Sequence, residues 1–150
     1  WSWSRGLGDV YKRQILNIVI GLFINKKGEN MKKLTCHCGA VEGEINTLDK
    51  LEKVLRCNCS ICKRKGAIMS MVKNEDFKII RGKDKLKLYQ FHSKVAKHYF
   101  CSNCGIYTHH NPRSNPAMTG FNVGCLDDID IFKLENVAIN DGQNHPLDKK

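Results

Sequence analysis

The sequence is poor in what makes linkers and membrane spans. Only three prolines occur in 150 residues, and there is no Pro-rich, repetitive or low-complexity tract. That argues for one domain rather than several joined by linkers. No apolar run reaches the about 20 residues a membrane-spanning helix needs, so the sequence does not read as an integral membrane protein. Its longest run, ILNIVIGLFI at positions 15–24, follows Lys12 and Arg13 like a signal peptide's apolar region. The NKKGEN that comes next offers no small-residue cleavage site, and the expected location is therefore cytoplasmic. An aromatic-interleaved basic stripe and a recognisable reading helix are also missing, which argues against nucleic-acid binding despite a net charge of +10.

What is present is an ordinary globular composition, 41% hydrophobic and 27% charged, with eight cysteines. Residues 1–30 stand apart. WSWSRGLGDVYKRQ has no helical or strand periodicity, contains both tryptophans, and reads as a translated adapter artefact. Lys27-Gly28-Glu29-Asn30-Met31 can be encoded by AAA GGA GAA AAT ATG, a purine-rich ribosome-binding site before a start codon. The expectation is a non-native or disordered leader over 1–30, and a bacterial protein whose domain spans 31–150.

From Met31 onward the pattern predicts a mainly β protein with short helices at its edges. Short strands are expected within 34–45 (broken by Gly39 and Gly43), at 67–72, Phe77–Arg81, 86–91, Lys97–Cys101, 106–110 and 121–126. A helical turn is expected over 49–55, where Leu48, Leu51, Glu52 and Leu55 recur one turn apart. A second is expected from Asp128, with Ile129, Phe132 and Leu134 facing a core. A core of this size is modest, and metal staples would help it.

All eight cysteines follow Met31, as Cys36-His37-Cys38-Gly39, Cys57-Asn58-Cys59-Ser60-Ile61-Cys62, Cys101-Ser102-Asn103-Cys104-Gly105 and a lone Cys125. Without a secretory signal, C-x-C and C-x-x-C pairs point to metal rather than disulfides. The Cys-Gly knuckles suggest a closed four-cysteine site from Cys36, Cys38, Cys101 and Cys104, since glycine permits a tight turn beneath a metal. That leaves Cys57, Cys59 and Cys62 as a three-thiolate cup with an open position, the arrangement of a catalytic rather than a structural zinc. Two zinc ions per chain are expected. Cys125 either closes the second site or is a small buried hydrophobe in a strand. His37 would be solvated, and His109 and His110 would face opposite sides of a strand, one of them lining the site or both simply packing. Lys63, Arg64 and Lys65 either pair with a substrate's carboxylates or form a solvated face; Lys97, His98 and Arg113 are further candidates for substrate contact, with His109.

Cys-x-Cys, Cys-x-Cys-x-x-Cys and Cys-x-x-Cys-Gly in this order resemble the glutathione-dependent formaldehyde-activating enzyme family, which includes centromere protein V. LTCHCGAVEGEI, LRCNCSICKRKGA, LKLYQFHSKVAKHYFCSNCGIYTHHNPRSNP, FNVGCLDD and DGQNHP also look like family segments. The resemblance implies a two-layer, β-tent-like fold with short peripheral helices. It implies a structural zinc on Cys36, Cys38, Cys101 and Cys104, and an active-site zinc on Cys57, Cys59 and Cys62. The implied reaction joins formaldehyde to glutathione as S-hydroxymethylglutathione, a carbon–sulfur lyase reaction run backwards. The expected partner is a small-molecule thiol, and the expected state a monomer or weak homo-oligomer. The alternative function is a non-catalytic zinc scaffold or partner-binding module. Residues 1–30 hold five of the Lys/Arg and two of the Asp/Glu, so 31–150 carry +7. Seven thiolates and two zinc ions would lower that to +4, making much of the basicity counter-charge to the metal sites.

Overall fold

A computed structural model describes residues 31–47, 51 and 53–145. Residues 1–30, with the expected leader, lie outside them. The fold is mainly β, in two sheets. The smaller sheet has three antiparallel strands in the order β1 (Met31–Thr35), β2 (Glu42–Asn46) and β5 (Phe77–Arg81). The larger has seven, in the order β10 (Ala138–Asn140), β3 (Leu55–Cys57), β4 (Met69–Lys73), β9 (Met118–Asn122), β8 (Tyr107–Asn111), β7 (Lys97–Cys101) and β6 (Leu86–Tyr89). All its pairings are antiparallel except that of β10 with β3.

Alternation along these strands explains why the sheets stack. Leu34 and Ile45 from the small sheet, and Val72 and Phe121 from the large one, meet in one apolar cluster with Val123, Cys125 and Leu126. Phe77 packs against it from β5. Burial of this seam is the main driving force for pairing the sheets. Lys32 reaches the same seam from β1, its side chain 8% exposed, and is neutralised by Asp128 at 2.6 Å.

The opposite face of the large sheet looks into a cavity, and the register defines which residues it carries. Met69 pairs with Leu55 and with Asn122, Met71 with Gly120, Gly120 with His110, and His110 with His98. A bulge resets β8, because Tyr99 opposes His109 while Phe100 opposes Tyr107. Tyr107 thereby joins His110 on the cavity face, and His109 turns to the inter-sheet core. There His109 sits 4.4 Å from the Tyr99 ring and 4.7 Å from Phe77. Gly120 is required by this layout: a Cβ at that position would lie 2.1 Å from His110 Cε1 and 2.8 Å from Met71 Sδ.

Several expectations need correction. Of the turn expected over 49–55, positions 49, 50 and 52 lie outside the described residues; Leu51, Lys53 and Val54 are irregular, and Leu55 opens β3. The helix expected from Asp128 is a 3-10 turn at Ile131–Lys133, started by Asp130 accepting a hydrogen bond from the Phe132 N–H at 3.0 Å. The strand expected over 121–126 ends at Asn122. Its side chain accepts from the Gly124 N–H and turns Val123–Cys125 into a 3-10 turn, so Cys125 is not in a strand. One short helix, α1 (Cys62–Lys65), stands where a ligand loop was expected.

Burial holds the His109 imidazole down at about 4, so it stays neutral. An unfolded chain titrates near the ordinary histidine value of about 6.5. Between those values unfolding takes up a proton that the native state refuses, so stability falls as pH drops through that window. The loss in wild type should exceed that in His109→Phe by roughly 1–2 kcal/mol between pH 7 and pH 5. Urea midpoints of the two proteins at both pH values check this, because the difference between proteins cancels what the cysteines contribute. Equal losses would sink it.

Candidate functional site

The four cysteines Cys36, Cys38, Cys101 and Cys104 converge, with their sulfurs all within 4.8 Å of one another. Cys36–Cys38 and Cys38–Cys101 are each separated by 3.7 Å. A tetrahedral zinc–thiolate site with bonds of about 2.3 Å has edges of about 3.8 Å, so the donor set fits such an ion. The two halves are built alike. Gly39 and Gly105 adopt φ of 72° and 74°, and their N–H groups bond back to the Cys36 and Cys101 carbonyls. The Cys36 N–H donates to the Val41 carbonyl and the Cys101 N–H to that of Ile106, closing each knuckle. One half ends β1 of the small sheet and the other links β7 to β8 of the large one, so the cluster joins the layers.

Cys57, Cys59 and Cys62 form a second cluster with the same 4.8 Å limit. Cys57 ends β3 and Cys62 begins α1, whose turn closes on Gly66 at φ 63°. No histidine, acid or fourth cysteine joins them among the described residues. Cys125 belongs to neither cluster; it is buried in the inter-sheet core with its sulfur 3.7 Å from the Tyr107 carbonyl. Burial raises its thiol to about 12, the behaviour of a small hydrophobe. The Cys62 thiol hydrogen-bonds Cys59 and lowers it to about 5, while the same contact and burial push Cys62 up. In chemical terms the pair holds one proton unevenly, and a cation would displace it.

This cluster lies in the wall of a cavity of about 840 Å³. The rest of the wall includes Met69, Met71 and Met118, then His98 and His110, then Lys63, His92, Arg113 and His145. No Asp or Glu is among the described lining residues. His98 and His110 are 4% and 8% exposed. Burial first, and the Lys65 charge second, lower His98 to about 4 and His110 to about 3. Phe91, His98 and His110 stack in sequence at 5.8 and 5.7 Å. Lys65 sits behind them, its Nζ 3.7 Å from the Tyr107 ring centre and 3.4 Å from His98 Nδ1.

The other sequence candidates divide. Lys63 is exposed at the cavity wall. Arg64 is exposed, donates to the Ser60 carbonyl at 2.5 Å and does not line the cavity. Arg113 lines it, with Nη2 3.3 Å from His145 Nδ1. His109 lies on the opposite face, away from the cavity, so it is His110 of that pair that lines the site. Lys97 and His37 are exposed.

Three contributors went unread in the sequence. Asn58, between Cys57 and Cys59, binds the segment after β10: its Nδ2 donates to Asp141 Oδ1 at 3.0 Å and its Oδ1 accepts from Gln143 N–H at 2.9 Å. Asn140 points Nδ2 at Cys57 Sγ from 3.7 Å. Gly142 lies so close that a Cβ would stand 2.5 Å from Cys57 Sγ and 2.7 Å from Cys59 Cβ. The segment 140–143 is thus a strap laid against the three-cysteine loop. The one available signal was the C-terminal Asp-Gly-Gln-Asn run itself.

Comparisons with known proteins agree with this architecture. The profile of the family described as glutathione-dependent formaldehyde-activating enzyme matches residues 31–140. The crystal structure of a Rhodobacter sphaeroides protein, a Northeast Structural Genomics target, is similar with a TM-score of 0.69 and 46% identity. That similarity covers 72% of this chain and 99% of that chain.

Gly142→Ala should force the strap off the three-cysteine loop and weaken metal binding there by about 10- to 100-fold, the usual cost of disturbing the shell behind the ligands. The four-cysteine cluster should be unaffected. Competition with a chromogenic chelator resolves the two sites, and identical release curves for wild type and variant would refute the strap's role.

Proposed function

The chain belongs to the glutathione-dependent formaldehyde-activating enzyme family, and from that premise we propose that it is a zinc enzyme joining formaldehyde to a small thiol such as glutathione. The observation that carries this reading is the cluster of Cys57, Cys59 and Cys62: three convergent sulfurs with no fourth protein ligand among the described residues, set in a cavity wall. A zinc ion held by these three would accept a substrate thiol as its fourth ligand and lower its pKa towards thiolate at neutral pH. Cys36, Cys38, Cys101 and Cys104 would hold a second, structural zinc, which leaves no position for a substrate.

The chain's own residues supply the rest. Lys63 and Arg113 give the wall positive charge, and its lining holds no carboxylate among the described residues, which suits a thiol carrying carboxylates. Burial keeps His98 and His110 neutral, so neither competes as a cation for the thiolate. The three methionines and Phe91 form an apolar floor that limits water around the reacting carbon. The bond formed is carbon–sulfur: the thiolate attacks the formaldehyde carbon, the carbonyl oxygen becomes an alkoxide, and a proton completes the hydroxymethyl product.

Cys59→Ser is the decisive variant. Wild type should bind two zinc ions and catalyse formaldehyde–glutathione condensation above the spontaneous rate. Cys59→Ser should bind one, keep its denaturant midpoint and lose the catalysed rate. A wild-type rate equal to the spontaneous reaction would sink the enzymatic reading and leave a zinc scaffold. Cys101→Ser, by contrast, alters a nearly inaccessible sulfur at the joint of both sheets, and should cost several kcal/mol and unfold the domain at ambient temperature.

A further inference from the structure

The two cavity histidines are both held from behind by the same ring nitrogen. Tyr107 is buried, and among the described contacts its hydroxyl has one partner, His110 Nδ1. A buried hydroxyl whose proton has one acceptor donates to it, since otherwise the proton is stranded. His110 Nδ1 therefore accepts, and a neutral ring must carry its proton on Nε2. His98 Nδ1 faces Lys65 Nζ at 3.4 Å, and an ammonium can only donate. His98 is thereby placed in the same tautomer. The rings stack at 5.7 Å with 15° between their planes, and both line the cavity that holds Cys57, Cys59 and Cys62.

We propose that His110, assisted by His98, is a neutral hydrogen-bond donor that stabilises the carbonyl oxygen of the substrate as it becomes an alkoxide, with Tyr107 and Lys65 as the positioning residues that fix the donor tautomer. The inference rests on the thiol–formaldehyde reading above. In the step, the sulfur lone pair forms the carbon–sulfur bond and the carbonyl π pair moves onto oxygen. That oxygen accepts hydrogen bonds from the imidazole N–H groups without taking their protons. The proton that completes the hydroxyl is the one the thiol gave up on ionising, returned through solvent. A neutral imidazole suits this role because it donates without a positive charge that would bind the thiolate instead. Pre-set donors cost no reorientation when the charge develops, which is where such groups act most strongly.

The test is made on zinc-loaded full-length protein. His110→Phe should lower kcat by about 100-fold while KM for the thiol moves by less than about threefold, because the donor acts on the transition state. His110→Gln, which keeps an N–H, should recover part of that loss. Tyr107→Phe should lower kcat by about tenfold at unchanged zinc content, since it frees the tautomer without emptying the site. Long-range nitrogen–proton spectra of the histidine-labelled wild type should show His110 and His98 protonated at Nε2 at neutral pH. This reading stands even where a variant fails to fold, and protonation at Nδ1 of His110 overturns the inference. A catalysed wild-type rate unchanged in His110→Phe overturns it alone. A wild-type rate equal to the spontaneous one overturns the parent reading and this inference together.

Discussion

The geometry of the molecule hangs on four sulfurs contributed by two sheets. Cys36 and Cys38 leave β1 of the three-stranded sheet, and Cys101 and Cys104 turn β7 into β8 of the seven-stranded one. Cys38 and Cys101 are 63 residues apart in sequence and 3.7 Å apart in space. Without a cation, such a cluster is a liability, because converging thiols must stay protonated or repel one another. A metal reverses that balance and contributes directly to folding. The consequence reaches the cavity, since β7 and β8 leave the same joint carrying His98, Tyr107 and His110.

The second cluster obeys a different logic. Its sulfurs are local, all between the end of β3 and the start of α1, so the fold need only present them. What the fold adds is the strap over residues 140–143 and the cavity face of the large sheet. The strap arrives through β10, the one parallel pairing among the described strands, and it is held by Asn58 in the three-cysteine loop. Cys57 and Cys59 are therefore braced from outside, while Cys62 is braced by the core around Met69 and Tyr107.

How much of this was legible in the sequence follows from the range of each constraint. Cys-x-Cys and Cys-x-x-Cys spacings bring sulfurs two or three residues apart together locally, so the grouping of the cysteines and the glycines beside them could be read directly. The strands Phe77–Arg81 and Lys97–Cys101 were legible because apolar alternation is also local. β10 was not, since all three of its residues are exposed and carry no pattern. The choice between His109 and His110 was likewise out of reach. Alternation places them on opposite faces, but a bulge that local pattern does not reveal decides which face carries Tyr107. Asn58 carried no signal of its own, because its partners lie 83 to 85 residues away.

The net charge of +10 finds its place in the same frame. Lys65 is largely buried, and burial lowers its pKa while the neighbouring thiols hold it up. Such an ammonium persists only where negative charge is permanent. Three thiolates holding one divalent cation would leave a net −1, which is the charge Lys65 could balance from behind Tyr107. The same ammonium holds His98 in its donor tautomer and depresses both cavity histidines. The positive charge around the site therefore divides by depth: Lys63 and Arg113 are at the wall, where an anionic substrate would meet them, and Lys65 lies beneath, where it stabilises the cluster and keeps the imidazoles neutral.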